Sequence, residues 1–192
     1  MLSSDFLAEF KRATEANWHK RPINPHIYGF QFQPGTRWNP GLSDDKIAEY
    51  ENVLGLQFPY DFRAFLRAMN GTDLPTLNIY GYCPEPPHTS TGVYSYPRDV
   101  ELVKHLIEEV RKDRGALTQT MAEQGFDLPA TTNLVPIYGH RHLVCTSDLD
   151  SSAVLSIDAS GDAILYANSL QEYLQIEFLR ERLKEPLWAV GE

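Results

Sequence analysis

The sequence is poor in basic residues and in long apolar runs, and each shortage excludes a class of protein. Its 192 residues contain 17 Lys and Arg against 26 Asp and Glu, which gives a formal net charge of −9. Phosphate backbones and anionic membrane surfaces repel such a chain, so we expect neither direct nucleic-acid binding nor membrane attachment. No apolar run approaches the length of a membrane span. These features predict a cytoplasmic protein.

Cysteine is scarce as well. Cys83 and Cys145 are the two in the chain, and neither belongs to a CxxC or Cys/His ligand pattern. The count allows one disulfide, but free thiols in a reducing compartment are favoured. Disorder is excluded by 3 Trp, 10 Tyr and 9 Phe, since a solvated coil has no use for that apolar surface. The length suits one domain.

Motifs for catalysis and cofactor binding are missing. The chain has no G-x-S-x-G elbow and no glycine-rich phosphate loop. His140, His142 and Cys145 form H-x-H-x-x-C, but on a strand the two histidines share one face and the cysteine takes the other. Turn chemistry explains Asp148 and Asp150 better than acid–base catalysis does. We therefore predict a non-enzymatic protein with no catalytic residue, metal ligand or cofactor.

The most informative stretch, residues 41–71, predicts a helical hairpin. Ser43 is a good N-cap, and the two aspartates after it lie where the helix dipole favours negative charge. Gly55 is expected to end this helix and Pro59 to open a second one. Apolar residues of the second helix follow the i, i+3, i+4, i+7 rule, and Asn70-Gly71 are expected to end it.

The segments before and just after the hairpin are more irregular. A helix capped by Ser4 is expected to run to about His19, and a strand follows through the aromatic residues at 28, 30 and 32. A further strand is predicted over 77–82, before a proline-rich loop. A long helix then begins at Asp99, is interrupted at 114–115 and ends at Gly125. Its apolar residues, all predicted to face inward, are Leu102, Val103, Leu106, Ile107 and Val110.

The remaining sequence changes its period from helix to strand. Four short β-prone runs cover 134–138, 142–146, 153–158 and 163–167, with a hairpin turn at 158–162. A last helix starts at Ser169, with Glu172 three residues later as in a capping box. Helices first and strands later predict an α+β fold with a mainly antiparallel sheet and helices packed against it.

The hairpin carries a resemblance to a known family. Its pattern from Leu42 to Gly71, L-S-x-x-x-I-x-x-Y-E-x-x-L-G-x-x-F-P-x-D-F-x-x-F-L-x-x-x-N-G, resembles the signature of the SMI1/KNR4 superfamily, also called SUKH. The later segments occur in the order that this family uses, so the resemblance spans about residues 38–180. The motif positions, which we interpret as structural, are Glu51, Leu54, Gly55, Pro59, Phe62, Leu66, Asn70 and Gly71.

The resemblance implies one SMI1/KNR4-like domain over residues 1–192. Within it, 1–37 is an N-terminal extension, 38–180 the family-like core and 99–125 a helical insertion. Most bacterial members resemble immunity proteins that bind and neutralise toxins of polymorphic or contact-dependent systems, many of them nucleases. Fungal relatives resemble regulatory scaffolds, and that alternative stays open. Either way, the resemblance implies a protein partner, and an additional segment is where partner choice would differ.

Most of the acidic excess lies in two segments. Residues 43–53 hold four acidic residues against one lysine, and residues 145–162 hold four aspartates with no lysine or arginine. Helix-dipole and turn chemistry explain each position locally, whereas the functional alternative is an acidic surface that steers a basic partner such as a nuclease. That alternative requires both segments on one face. Its candidate partner-binding residues are Asp44, Asp45, Glu49, Asp148, Asp150, Asp158 and Asp162, with Tyr80 and Tyr82 as aromatic anchors. Tyr94 and Tyr96 are further candidates for exposed aromatic residues in the same proline-rich loop region.

Overall fold

A computed structural model of the chain describes residues 2–27, 29–79, 88–90, 92–158 and 162–179. The helices within these ranges are α1 (Ser4–Lys20), α2 (Asp44–Leu54), α3 (Tyr60–Ala68), α4 (Val100–Lys112), α5 (Arg114–Glu123) and α6 (Leu170–Leu174), which continues as a π-helical turn over Gln175–Leu179. The strands are β1 (Gly29–Gln31), β2 (Trp38–Pro40), β3 (Met69–Thr72), β4 (Thr76–Ile79), β5 (His88–Ser90), β6 (Asn133–Tyr138), β7 (Arg141–Cys145), β8 (Val154–Ile157) and β9 (Ala163–Ala167).

The main sheet is an antiparallel meander of β6, β7, β8 and β9 in chain order. Two smaller sheets, both antiparallel, pair β1 with β4 and β4 with β5, and β2 with β3. The four β-prone runs at the end of the chain therefore form the main sheet, and the α+β prediction is confirmed. No helix in the described ranges combines the length and the apolarity needed to cross a bilayer.

Both faces of the main sheet contribute to a hydrophobic core, and side chains that alternate along each strand enter a different cluster on each face. On one face, Val135 and Leu143 join a core cluster with residues of α1, α2, α3 and α6. On the other face, Leu134 and Val144 join a second cluster with Met121 of α5. Helix α4 lies along β6, and α5 packs against β9. The predicted helical insertion thus packs onto the sheet.

The α2–α3 hairpin is held together at its turn by Glu51. Helix α2 has its predicted caps, since the Ser43 Oγ accepts a hydrogen bond from a first-turn N–H and Gly55 adopts φ +67°. The Glu51 Oε1 accepts a hydrogen bond from the backbone N–H of Phe58 at 2.6 Å and another from the Arg63 Nε at 2.8 Å. One carboxylate therefore joins α2, the connecting turn and α3.

The predicted end of α3 at Asn70-Gly71 is wrong. The helix ends at Ala68, and Met69–Thr72 form β3 against β2. The Asn70 side chain accepts a hydrogen bond from the Tyr96 N–H at 2.9 Å and donates one to the Tyr96 carbonyl at 2.6 Å. Gly71 has φ +68°, and a Cβ there would lie 2.6 Å from that of Ser95. A long-range contact, rather than local helix termination, explains both residues.

Replacing Asn70 with alanine should lower the free energy of unfolding by about 2 kcal/mol. Asn70 is buried, so the variant leaves the N–H and the carbonyl of Tyr96 without partners away from water. Asn52→Ala on the exposed face of α2 is the matched control, with an expected change within about 0.5 kcal/mol. Urea unfolding of the three proteins measures both values, and equal stability of the two variants would contradict the role of Asn70.

Other boundaries differ in smaller ways. Ser3, one residue before the predicted cap, accepts the capping hydrogen bond of α1. Asp99 precedes α4 as predicted, but its carboxylate accepts a hydrogen bond from the backbone N–H of Ser95 instead of capping the helix. Leu102 was expected to face inward and is 36% exposed. Strand β4 is described up to Ile79, while Cys83 and the remainder of the predicted strand lie outside the described residues.

Candidate functional site: an acidic cleft

A cleft with a volume of about 720 Å³ opens between the α4–α5 pair and one end of the main sheet. Its helical wall follows from the period of α4, because residues three and four positions apart share a helix face. The wall combines apolar and acidic side chains: Leu106, Glu109, Val110 and Asp113 from α4 and the segment after it, and Ala116 and Leu117 from α5.

The opposite wall is built by described residues at one end of the sheet, where β6 meets β7 and where β8 and β9 are connected. In an antiparallel meander, the β6–β7 and β8–β9 turns lie at the same end. The backbone N–H of Ile157 donates to the His140 carbonyl at 2.9 Å and so joins the end of β8 to the β6–β7 turn. Their contributions to the cleft are Gly139, His140, His142, Ile157, Asp158 and Asp162.

The charged side chains of the cleft are all acidic. Four carboxylates line it, and no lysine or arginine is among its described lining residues. Glu109 forms an ion pair with the Lys112 Nζ at 2.5 Å, and that hydrogen-bonded ammonium lowers the pKa of Glu109. Within the described ranges, the carboxylates of Asp113 and Asp162 have neither an ion pair nor a hydrogen-bond donor. These two groups, one on each wall, are available to a cation.

His142 adds a neutral hydrogen-bond acceptor. Its side chain is 5% exposed, and burial lowers its pKa to about 4, so the ring is uncharged at pH 7. The Nδ1 lies 3.2 Å from the His140 carbonyl oxygen. Because a carbonyl only accepts, Nδ1 carries the proton, and Nε2 retains its lone pair. No described residue donates a hydrogen bond to that Nε2.

The H-x-H-x-x-C sequence does not assemble into a site. His142 lines the cleft, whereas Cys145 is buried in the core on the opposite face of β7. Burial also raises the pKa of the Cys145 thiol far above its ordinary value, so it is not a thiolate. Among the described residues, no group of three or more His, Cys, Asp or Glu is placed to hold a metal ion.

Comparison with protein families addresses the hairpin resemblance directly. The SMI1 / KNR4 family (SUKH-1) matches residues 41–176, which is more than half of the chain. The chain belongs to the SMI1/KNR4 family. Its matched region includes the α2–α3 hairpin, the α4–α5 pair and the whole main sheet. A search of curated proteins finds no match. Membership in this family is consistent with a protein-binding module of the immunity type.

In this SMI1/KNR4 member, the acidic residues singled out from the sequence do not share one surface. Asp158 and Asp162 line the cleft. Asp148 and Asp150 lie in the β7–β8 loop, which an antiparallel meander places at the other end of the sheet. The Asp148 Oδ1 accepts a hydrogen bond from the Asp150 N–H at 3.1 Å, as in an Asx-turn. The second acidic segment is therefore divided between two ends of the sheet.

The acidic residues of α2 are largely engaged. Asp44 forms an ion pair with the Arg67 Nε at 2.6 Å, whereas Asp45 is exposed. Glu49 binds the Lys46 Nζ at 2.6 Å and accepts a hydrogen bond from the Tyr96 hydroxyl at 2.5 Å, and both contacts lower the pKa of Glu49. Only Asp45 in this group has its carboxylate uncommitted within the described chain.

The proposed aromatic anchors are placed differently from one another. Tyr80 and Tyr82 lie outside the described residues. Tyr96, which the sequence placed among candidate exposed aromatics, is buried and stacks on Tyr50 with ring centroids 4.6 Å apart. Sequence reasoning missed Glu109 and Asp113 as site residues. The sequence did contain a signal for them, because Glu109 and Asp113 lie at helical spacing from Leu106 and Val110. We interpreted only the two apolar residues, as part of an inward-facing stripe.

Proposed function

We propose that this protein is a non-enzymatic immunity protein that binds and neutralises a toxin of a polymorphic or contact-dependent system. Family membership over residues 41–176 is the observation that carries this proposal. The net charge of −9 favours a basic partner, because complementary charge accelerates association and rejects acidic competitors. A toxin nuclease has such a basic face where it holds phosphate. Covering that face would block the toxin's substrate.

A protection assay tests the proposal. Cells that express the toxin domain encoded beside this gene should survive when the protein is co-expressed and die without it. Purified protein should also form a stable complex with the inactive toxin, and binding should weaken as salt is raised, since exposed charge pairs are screened. A neighbouring toxin that neither binds nor is neutralised would contradict the immunity function.

A variant of the family's hairpin motif serves as a control in this assay. Gly55→Ala changes the left-handed C-terminus of α2, where a Cβ would have no neighbour within 4 Å, so only backbone strain of about 1–2 kcal/mol is expected. This variant should still protect, because it alters stability without altering any cleft side chain. Loss of protection by Gly55→Ala at normal protein levels would place the toxin contact at the hairpin turn instead.

A further inference from the structure

We propose that the acidic cleft receives an arginine side chain presented by a loop of the toxin. This inference rests on the proposed function and specifies which surface performs it. The cleft draws its walls from α4–α5 and from the two sheet turns, so it is separate from the family's signature hairpin. Three properties of its lining carry the assignment: its charge, its hydrogen-bonding capacity and its apolar surface.

The charge of the lining favours a cation. Asp113 on the helical wall and Asp162 on the sheet wall form no ion pair in the described chain, and Asp158 lies beside Asp162. Acidic groups on both walls of one cleft attract a positive group that lies between the walls. A guanidinium is suited to that position because its donors point in several directions within one plane.

The hydrogen-bonding capacity of the lining favours arginine over lysine. The carboxylates and the neutral His142 Nε2 are all acceptors, so the ligand must bring the donors. Arginine has five N–H donors in a fixed planar fork, whereas lysine has three on a single nitrogen. A guanidinium can therefore bind an aspartate bidentately and still have a donor for His142.

The apolar surface accounts for the rest of the side chain. The aliphatic residues in the lining are Leu106, Val110, Ala116, Leu117 and Ile157. Arginine packs its methylene stem on such surface while its charged end reaches polar partners. The volume of about 720 Å³ exceeds the needs of one side chain and falls within the range of specific ligand sites. A loop that carries its arginine into the cleft fits this volume better than a free ion does.

A peptide titration followed by NMR tests the cleft directly. The probe is acetyl-Gly-Arg-Gly-amide, and its neutral counterpart contains citrulline in place of arginine. We expect the arginine peptide to shift the backbone amides of the α4–α5 pair and the two turns, and the citrulline peptide to bind at least about tenfold more weakly. Equal binding of the two peptides, or shifts elsewhere on the protein, would overturn the assignment.

Two double variants separate the cleft from general charge. Asp113→Asn with Asp162→Asn removes one charge from each wall, and Asp45→Asn with Asp150→Asn removes the same total charge from exposed positions outside the cleft. We expect the first pair to weaken the arginine peptide by at least about tenfold and the second pair to change it little. Equal losses in both would show a diffuse charge effect and overturn the proposal. Tighter binding of spermidine than of the peptide would identify a free polyamine as occupant, also overturning it.

The toxin assay distinguishes this inference from the function on which it rests. If the wild-type protein protects cells, the Asp113/Asp162 variant should protect poorly and the Asp45/Asp150 variant should protect normally. Full protection by the Asp113/Asp162 variant would overturn the cleft assignment and leave the immunity function standing. Failure of the wild-type protein to protect, together with cleft-specific binding of the arginine peptide, would overturn the immunity function and leave the arginine site standing.

Discussion

Replacing Phe178 with alanine should lower the free energy of unfolding by about 3–5 kcal/mol, the range for a buried aromatic ring truncated to a methyl group. The Phe178 ring is 8% exposed at the centre of an aromatic cluster. Its centroid lies 5.6 to 6.4 Å from those of six other rings: Phe10, Trp18, Phe32, Trp38, Tyr138 and Tyr173. The variant therefore leaves a cavity whose surrounding rings cannot all move in to fill it.

The position of Phe178 makes this effect long-range as well as large. Phe10 and Trp18 belong to α1, Phe32 follows β1, and Tyr138 ends β6. One side chain thus connects the predicted N-terminal extension to the main sheet, and its loss removes support from both. Urea unfolding measures the change, with Tyr60→Ala as the control because that aromatic ring is 40% exposed. A Phe178→Ala protein no less stable than Tyr60→Ala would contradict the central role of this ring.

Acidification from pH 6.5 to about 4 should lower the free energy of unfolding by about 3 kcal/mol through His142 alone. Burial lowers the pKa of His142 from 6.5 to about 4 in the folded protein. Below pH 6.5 the unfolded chain takes up a proton on this residue, while the His142 ring in the folded protein stays neutral until about pH 4. Since the unfolded state binds more protons in this window, stability falls as the pH falls, and below pH 4 this contribution changes no further.

The variant His142→Gln isolates that contribution from the carboxylates that titrate in the same range. Glutamine cannot take up the proton, so the stability curve of the variant should be flatter than the wild-type curve between pH 4 and 6.5. The two curves should diverge by at most about 1.4 kcal/mol per pH unit. His26→Gln, at an exposed position, should run parallel to wild type. Parallel curves for His142→Gln and wild type would show that His142 is not held neutral by burial.

Local sequence signals predicted those parts of the fold in which local chemistry decides the structure. Ser43 and Gly55 mark the two ends of α2 as expected, because an N-cap hydroxyl and a left-handed glycine act within one helical turn. The β-prone runs became the main sheet because they are short and mostly apolar, as suits strands whose two faces pack against separate core clusters. The prediction that Asn70-Gly71 end α3 failed because an asparagine, which often ends a helix, can also bind a distant backbone, as Asn70 binds that of Tyr96.

The candidate site was beyond the reach of such signals. Asp158 and Asp162 were singled out, but their grouping with Asp148 and Asp150 followed sequence proximity, and the meander separates the two pairs. Glu109 and Asp113 went unnoticed because an acidic residue on a helix usually serves a solvated face. Only the packing of α4 along β6 and of α5 against β9 turned that face toward the sheet turns.

By itself, the sequence determined the family, the α+β class, the helical hairpin and an acidic balance. Those properties depend on composition and on patterns within about 30 residues, where propensity and capping operate. The tertiary structure alone decided which of these residues lie together, since Asp113, His142 and Asp162 line one cleft. The physical reason is that an electrostatic site depends on distances across space, and these residues become neighbours only when the helices pack onto the sheet.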